Sequence, residues 1–255
     1  MYRRRGEGDA QIGRLYEKRH SVERRVEQGF TFAAMIKAAL FDMDGLLLDT
    51  EPIWGVVMRE KARANGVVVP MDRIRETAGL RITEVCAYWQ RNFAWPEGLT
   101  ADELSRDIVS GVVEASKQRA TVLPGVRELL SGLRAAGWKI GLASSSPRTM
   151  IDTLIRHFGI GAYFEAVVSA DTAVLGKPHP EVYLQCAAAL GVAAHACMVL
   201  EDTVNGCISA KAARMKVLAV PHHEWAADPR FAIADKVVGS LEGISAADLE
   251  AVLRG

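Results

Sequence analysis

From residue 36 onward, short apolar runs alternate with amphipathic stretches, and this alternation restricts the possible folds more than any other feature of the sequence. Apolar runs of this length predict buried strands. The predicted strands lie at 36–41, 139–143, 166–169, 198–200 and 217–220. Because strands that alternate with single helices pair in parallel, the sequence predicts an α/β fold with a doubly wound parallel sheet. Ligands of such sheets bind outside the carboxyl ends of the strands.

The connections between these strands have the spacing of amphipathic helices. From Val126 to Leu133, apolar residues fall at i, i+3, i+4 and i+7, which places them on one helix face. Gly137 follows as a helix terminator. Apolar stripes within 150–158 and 182–190 are likewise followed by glycines. These stretches therefore predict helices that cover the sheet.

The interval between the first two predicted strands holds about 70 residues without a convincing strand. Its helical candidates are 53–65, 81–93 and 100–120, and the last begins with Thr100 and Glu103 at the spacing of a capping box. A helical module inserted after the first strand would lie over the strand ends. That position suits a lid over a binding site.

The first 34 residues differ from the rest in composition. They hold eight Lys or Arg against five Asp or Glu, and they contain few large apolar residues. They also lack the apolar segment of a secretory signal. We therefore predict a flexible basic extension at 1–34, an α/β core at 35–52 and 122–255, and a helical cap domain at 53–121.

Composition excludes several classes of protein. Hydrophobic residues make up 49% of the chain and charged residues 24%, which is typical of a globular protein. Lys and Arg number 31, as do Asp and Glu, so no net basic charge favours a nucleic acid. No apolar run is long enough to span a membrane. The four cysteines form no CxxC pair, and we expect buried, reduced thiols in a cytoplasmic protein. The expected partner is a small molecule, and no oligomeric state is predicted.

Two acidic pairs follow predicted strands. Asp42 and Asp44 come at the end of the first strand, and Gly45 allows the chain to turn there. Glu201 and Asp202 follow the fourth strand. Carboxylates this close repel each other unless a proton or a cation intervenes, and Mg²⁺ prefers oxygen ligands. Each pair by itself also fits an ordinary strand-to-turn junction or a helix N-terminus.

Neutral and positive groups follow the second and third predicted strands. Ser144, Ser145 and Ser146 lead from the second strand into a helix, where hydroxyl and amide groups suit a phosphate. Lys177 can hold a phosphate or neutralise a nucleophile. A helix cap and a solvated lysine are the ordinary alternatives, and His179 is expected to be structural. Taken together, the four clusters predict Mg²⁺-assisted phosphoryl transfer at one edge of the sheet.

The order DMDG, a helical insert, SSS, GKP and ED resembles the haloacid dehalogenase superfamily of phosphotransferases over about residues 36–250. In detail the chain is similar to its bacterial sugar-phosphate phosphatases, the hexitol phosphatase and 2-deoxyglucose-6-phosphate phosphatase subfamily. The similar stretches are FDMDGLLLDTEPIW, AGLRITEV, KPHPEVYLQCAAALGV, LEDTVNG and DPRF. The resemblance implies a Rossmann-like core with an inserted cap. It also implies hydrolysis of phosphate monoesters of hexoses, deoxyhexoses or hexitols.

The resemblance implies roles for individual residues as well. Asp42 would be the nucleophile that forms an aspartyl-phosphate, and Asp44 the general acid and then the general base. Lys177 would neutralise charge on the nucleophile and the phosphate. The implied phosphate- and substrate-binding residues in the core are Asp42, Asp44, Gly45, Ser144, Ser145 and Lys177. The implied ligands of the Mg²⁺ cofactor are Asp42, the main-chain carbonyl of Asp44, and Asp202, with Glu201 as a further candidate.

Three alternatives differ from a phosphatase at single features. The β-phosphoglucomutases carry a histidine twelve residues after the nucleophile, where this chain has Trp54. A dehalogenase lacks the second aspartate, so Asp44 argues against it. A non-hydrolytic phospho-acceptor signalling domain has an aspartate and a lysine, but it has no helical cap and does not need Asp44. We therefore favour the phosphatase, with the mutase as its closest rival.

Substrate specificity is expected to come from the cap. Trp54 and Arg81 are predicted substrate contacts, because an aromatic face packs on sugar C–H groups and a guanidinium can bind hydroxyls. Gly79, Leu80 and Trp89 are further candidates, although Trp89 also fits the interior of the cap. The sequence does not choose among hexose, deoxyhexose and hexitol phosphates.

Overall fold

A computed structural model describes residues 37–255, and this part of the chain forms a six-stranded sheet flanked by helices. The strands are β1 (Ala38–Phe41), β2 (Lys139–Ser144), β3 (Ala166–Ser169), β4 (Cys197–Glu201), β5 (Lys216–Ala219) and β6 (Lys236–Val237). All pairs are parallel, and the order across the sheet is β3-β2-β1-β4-β5-β6. The predicted doubly wound α/β fold is confirmed. The predicted basic extension at 1–34 lies outside the described residues.

Four helices lie between β1 and the helix that precedes β2. They are α1 (Glu51–Ala64), α2 (Met71–Glu76), α3 (Ile82–Asn92) and α4 (Ala101–Arg119). The remaining helices are α5 (Val126–Ala135), α6 (Arg148–His157), α7 (Glu181–Leu190), α8 (Val204–Ala212) and α9 (Ala246–Arg254). The described residues, 37–255, belong to one compact unit, and the division into a cap and a core stays a prediction. Among the described residues, none of the helices is long and apolar enough to cross a membrane.

The register of the three central strands determines where the polar clusters meet. Phe41 at the end of β1 is level with Leu142 of β2 and with Leu200 of β4. All four residues of β1 are fully buried, and alternate side chains enter separate apolar clusters on the two faces of the sheet. The residues that follow these three strands therefore emerge side by side at the carboxyl edge.

The predicted capping box begins α4. The Glu103 amide donates a hydrogen bond to Thr100 Oγ1 at 3.2 Å, and the Thr100 amide donates to Glu103 Oε2 at 2.9 Å. Helix α2 and strand β6 were not predicted from the sequence. Met71–Glu76 has six residues, too few to show a helical stripe, and Lys236–Val237 is an exposed pair at the edge of the sheet.

Candidate active site

Lys177 joins the ends of two strands through a buried ionic bridge. Its Nζ donates to Asp42 Oδ1 at 2.6 Å and to Glu201 Oε1 at 2.5 Å, and only 2% of the residue is exposed. The Tyr183 hydroxyl donates to the same Glu201 oxygen at 2.9 Å, and the Tyr183 ring lies 4.9 Å from Nζ. The lysine is therefore a fixed positive charge beside Asp42, and the alternative of a solvated surface lysine does not apply.

The ionisation of this bridge reflects burial and mutual charge. Burial opposes the charge of Lys177, yet Asp42 and Glu201 hold its pKa above the ordinary value. Burial raises the pKa of Asp42 to about 7, although Lys177 acts in the opposite direction. Burial also opposes charge on Glu201, but Lys177 brings its pKa below the ordinary value. The bridge therefore holds Lys177 as a cation.

Asp44 lies in the same cleft as Asp42 and accepts hydrogen bonds on both carboxylate oxygens. Oδ1 accepts from Thr50 Oγ1 at 2.7 Å and from Trp54 Nε1 at 2.9 Å. Oδ2 accepts from Ser146 Oγ at 2.6 Å. Side chains from both sides of the cleft therefore orient this carboxylate.

Thr50 and Ser146 were not among the predicted site residues. Thr50 precedes α1 at a position where a threonine usually caps the helix, but its side chain makes no cap and binds Asp44 instead. Ser146 belongs to the serine run that the sequence singled out, and only its neighbours were predicted to bind the substrate. The missed role of Thr50 had no sequence signal, because a helix cap is the ordinary explanation.

The other two serines also line the cleft. Ser144 is almost fully buried, and its Oγ accepts a hydrogen bond from the Ser146 amide at 3.1 Å. Ser145 Oγ donates to the main-chain carbonyl of Gly79 at 2.7 Å, so it joins the core to the loop before α3. The serine loop therefore lines the cleft that also contains Asp42, and it contacts the helical insert.

Asp202 is a buried carboxylate without a hydrogen-bond partner in the described part of the chain, at either of its oxygens. Burial, reinforced by Glu201 and Asp42, raises its pKa well above the ordinary value. Gly45 lies against it with φ of +73°, and a Cβ atom built there would lie 2.1 Å from Asp202 Oδ2. Any side chain at this turn would therefore collide with the Asp202 carboxylate, and glycine avoids that collision.

Glu201 has the opposite environment, and this departs from its expected role as a further metal ligand. Its Oε1 accepts from Lys177 and Tyr183. Its Oε2 accepts from the Asp202 and Thr203 amides and from Thr203 Oγ1. A carboxylate offers about four lone-pair sites, so these five bonds leave none for a cation.

Comparison with known proteins identifies the family of the chain. A family model described as a haloacid dehalogenase-like hydrolase matches residues 36–214. The chain belongs to this family. The resemblance stated from the motifs is confirmed, and so is the prediction that the chain is an enzyme of the hydrolase class.

Relatives of this hydrolase are curated as phosphatases. It is 40% identical to hexitol phosphatase B of Escherichia coli over 215 residues, which cover 84% of this chain and 96% of that protein. It is 30% identical to a phosphorylated carbohydrates phosphatase of Thermotoga maritima, covering 73% of this chain and 86% of that one. Its structure resembles CbbY from Rhodobacter sphaeroides in complex with phosphate, with a TM-score of 0.77, 25% identity, and coverage of 85% and 100%.

The helical insert of this hydrolase contributes a mostly apolar wall to the cleft. The predicted residues Trp54, Gly79 and Leu80 line it. The other apolar lining residues are Gly55, Met58, Ile74, Ala78, Ile82 and Val85. Trp89 does not line the cleft, because it is fully buried within the insert and stacks on Trp95 at 6.4 Å between ring centroids. Of the two roles considered for Trp89, the structure favours the interior one.

Glu51 is a polar group of this wall that the sequence analysis missed. It begins α1 and lines the same cleft as Asp42 and Asp44. Burial raises its pKa to about 8, with further contributions from Asp44 and Asp42. An acid in the first turn of a helix has an ordinary explanation, so no sequence signal separated Glu51 from a helix-stabilising residue.

Arg81 is the predicted substrate contact that the structure does not bring to the cleft. Its guanidinium donates to the carbonyls of Ala170, Ala173 and Val174 in the loop after β3, and it pairs with Glu84. The side chain is therefore directed toward the core loop, where three main-chain carbonyls accept its hydrogen bonds.

Proposed function

We propose that the chain is a Mg²⁺-dependent phosphatase that hydrolyses sugar or polyol monophosphates through an aspartyl-phosphate on Asp42. The observation that carries this proposal is the buried bridge from Lys177 to Asp42, with Asp44 beside it in the same cleft. A phosphate dianion approaching a carboxylate is repelled, and the fixed lysine charge offsets that repulsion.

In the first step, Asp42 attacks the phosphorus atom of the ester. Asp42 Oδ1 accepts the lysine hydrogen bond, which leaves Oδ2 for the attack. The new bond joins Oδ2 to phosphorus, and the bond from phosphorus to the sugar oxygen breaks. A sugar alkoxide is a poor leaving group, so Asp44 delivers a proton to that oxygen as it departs.

In the second step, water hydrolyses the aspartyl-phosphate. Asp44, now ionised, takes a proton from the water molecule whose oxygen attacks phosphorus. The bond between Asp42 and phosphorus breaks, phosphate leaves, and both carboxyl groups return to their starting states. Thr50, Trp54 and Ser146 orient Asp44 for both proton transfers.

The donor set at the strand ends fits Mg²⁺. Asp202 has two buried oxygens without a protein partner, and buried charges are normally paired or bound to a metal. The residues that would hold the ion are Asp42, Asp202 and the main-chain carbonyl of Asp44. Among residues 37–255, no three carboxylate, imidazole or thiol side chains form a metal cluster by themselves, which agrees with a site that needs a carbonyl and water. When bound, Mg²⁺ supplies positive charge to the transferring phosphoryl group.

The substrate class rests on the relatives and on the cleft wall. The relatives named above are a hexitol phosphatase and a phosphorylated carbohydrates phosphatase. Trp54 offers an aromatic face for sugar or polyol C–H groups, and Glu51 offers a hydroxyl acceptor. We propose that the helical insert acts as the cap that closes over this part of the substrate.

The decisive experiment is phosphate release from a panel of hexose, deoxyhexose and hexitol phosphates, with Mg²⁺ and with a chelator. We expect multiple turnovers that stop when the metal is removed. A single turnover would indicate a phospho-acceptor domain. Conversion of β-glucose 1-phosphate into glucose 6-phosphate with little free phosphate would establish the mutase, although Trp54 offers only an N–H donor where a mutase has a base.

A further inference from the structure

Arg81 fastens the helical insert to the core loop that leads to Lys177. It lies at the start of α3, and its Nη1 donates to the carbonyls of Ala173 at 2.9 Å and Ala170 at 3.3 Å. Its Nη2 donates to the carbonyl of Val174 at 3.2 Å and to Glu84 at 2.5 Å. The four N–H groups on the two Nη atoms are thereby used, and the remaining donor, the Nε–H, is buried and makes no hydrogen bond within the described residues.

Glu84 completes the attachment from the next turn of α3. Its Oε1 accepts from Arg81 and also from the Gly176 amide at 3.3 Å. A Cβ atom on Gly176 would lie 2.6 Å from Glu84 Oε2 and 2.9 Å from Arg81 Cγ and Nε. A side chain at this position would therefore have to displace Glu84 and Arg81, because the two side chains pack directly on the loop backbone.

The loop held in this way ends at Lys177. Gly176 precedes that lysine in the chain, and Lys177 Nζ binds Asp42 within the buried bridge. We propose that Arg81 and Glu84 are positioning residues: with the insert seated on the core, they hold residues 170–176 and thereby fix Lys177 against the nucleophile. The inference rests on the proposed phosphatase function and deepens it, because it links seating of the insert to the geometry of the reaction.

This role differs from substrate recognition in its effect on two substrates. A hexitol phosphate reaches the insert wall, whereas acetyl phosphate occupies only the phosphate end of the cleft. Loss of a positioning residue lowers kcat for both, since both need Lys177. We expect Arg81→Ala to lower kcat by about 10-fold to 100-fold on both substrates, with a small change in KM.

Conservative and matched variants separate this role from general stability. Arg81→Lys keeps the charge but reaches fewer carbonyls, so we expect it to recover part of kcat. Gly176→Ala changes the core loop instead of the insert. Its methyl group should displace Arg81 and Glu84 and lower kcat as Arg81→Ala does. The control is Arg73→Ala, which breaks the exposed Arg73–Glu76 pair of the same i, i+3 spacing on α2 and leaves the hydrogen bonds from Arg81 and Glu84 to residues 170–176 in place; its kcat should not change.

Hydrogen exchange tests the attachment without any substrate. We expect amides of residues 170–177 to exchange faster in Arg81→Ala and Gly176→Ala than in the wild type and in Arg73→Ala. If the wild type releases no phosphate, the proposed function fails, and this exchange measurement still decides whether the attachment exists.

Several results would overturn the proposal. A loss confined to the hexitol phosphate would make Arg81 a recognition residue, and unchanged kcat in Arg81→Ala would make the attachment dispensable. Unchanged exchange over residues 170–177 would refute the attachment itself. If Arg81→Ala does not fold, Gly176→Ala and Arg81→Lys decide by the same two measurements.

Discussion

The two walls of the cleft are built from opposite kinds of side chain. The core wall consists of carboxylates, hydroxyls and a buried lysine at the strand ends, most of them held by hydrogen bonds. The insert wall is mostly apolar, and its polar exceptions are Glu51 and Thr77. The first wall is suited to a charged phosphoryl group, and the second to the neutral body of a sugar or polyol.

Under the proposed mechanism, the core wall acts on the phosphoryl group and the insert wall acts on the leaving group. Charges fixed in a buried site act strongly on a phosphoryl group, so changes in the core wall should affect every substrate. Apolar contacts in the insert wall act on the leaving group, so changes there should distinguish long substrates from short ones. Arg81 is the test of this division, because it belongs to the insert but contacts the core.

The largest effect is expected from Asp42→Asn. An amide is a poor nucleophile, and we expect kcat to fall by about 10³-fold or more on hexitol phosphate and acetyl phosphate alike. The fold should persist, because Lys177 keeps its bond to Glu201. Phosphate release measures the loss, and the melting temperature checks the fold. Substantial turnover by a folded variant would rule out the covalent route.

Asp202→Asn tests the metal in the core wall. We expect the Mg²⁺ concentration for half-maximal activity to rise by at least about 10-fold. Mg²⁺ should also raise the melting temperature of the wild type but hardly that of the variant, since a bound ligand stabilises the folded state. The matched control is Asp152→Asn, which removes an exposed carboxylate paired with Arg148. Equal stabilisation of wild type and Asp202→Asn by Mg²⁺ would contradict the assigned ligand.

Ser146→Ala should have a smaller effect, because it removes one donor to Asp44 and leaves the carboxylate in place. A hydrogen bond to a charged group contributes about 1.5–3 kcal/mol, and we expect kcat to fall by about 10-fold on both substrates. Ser131→Ala, at an exposed serine that bonds Tyr163, is the control. An unchanged kcat would mean that Ser146 does not orient the acid.

The core wall was largely predictable from the sequence, and the insert wall was not. Parallel strands in register bring their ends together, so Asp42, Ser144 and Asp202 could be placed at one edge before any contact was known. Our proposal of Asp202 rather than Glu201 as a metal ligand depended on which of the two carboxylates already accepts hydrogen bonds from neighbouring donors. No local pattern reports that.

In the insert, three of the four helices could be predicted from the sequence, whereas the short helix α2 and the directions of the side chains could not. Arg81 precedes a helix that packs on the core, and its direction depends on carbonyls about 90 residues later in the chain. Thr50 stands at the N-cap position of α1, but its hydroxyl donates to Asp44 instead of capping the helix. The contact of Arg81 joins segments far apart in the chain, and the contact of Thr50 depends on how the turn before α1 is oriented. The spacing of residues along the sequence predicts neither.

Trp54→Phe is the smallest expected effect, and it bears on both walls at once. The indole N–H donates to Asp44 Oδ1, while the ring lines the cleft, so phenylalanine keeps an aromatic face and removes one bond. In the variant Thr50 still donates to the same oxygen, so Asp44 Oδ1 loses only one of its two hydrogen bonds. We expect kcat to fall by about 2-fold to 5-fold, equally on hexitol phosphate and acetyl phosphate.

Trp54→Ala completes this experiment, because it removes the ring as well as the donor. Its additional loss, relative to Trp54→Phe, should appear in kcat/KM for the hexitol phosphate and be nearly absent for acetyl phosphate. That pattern would show that the indole N–H of Trp54 acts on Asp44, while its ring packs on the substrate. If Trp54→Phe instead affected only the hexitol phosphate, the bond to Asp44 would have no catalytic weight, and Trp54 would belong wholly to the insert wall.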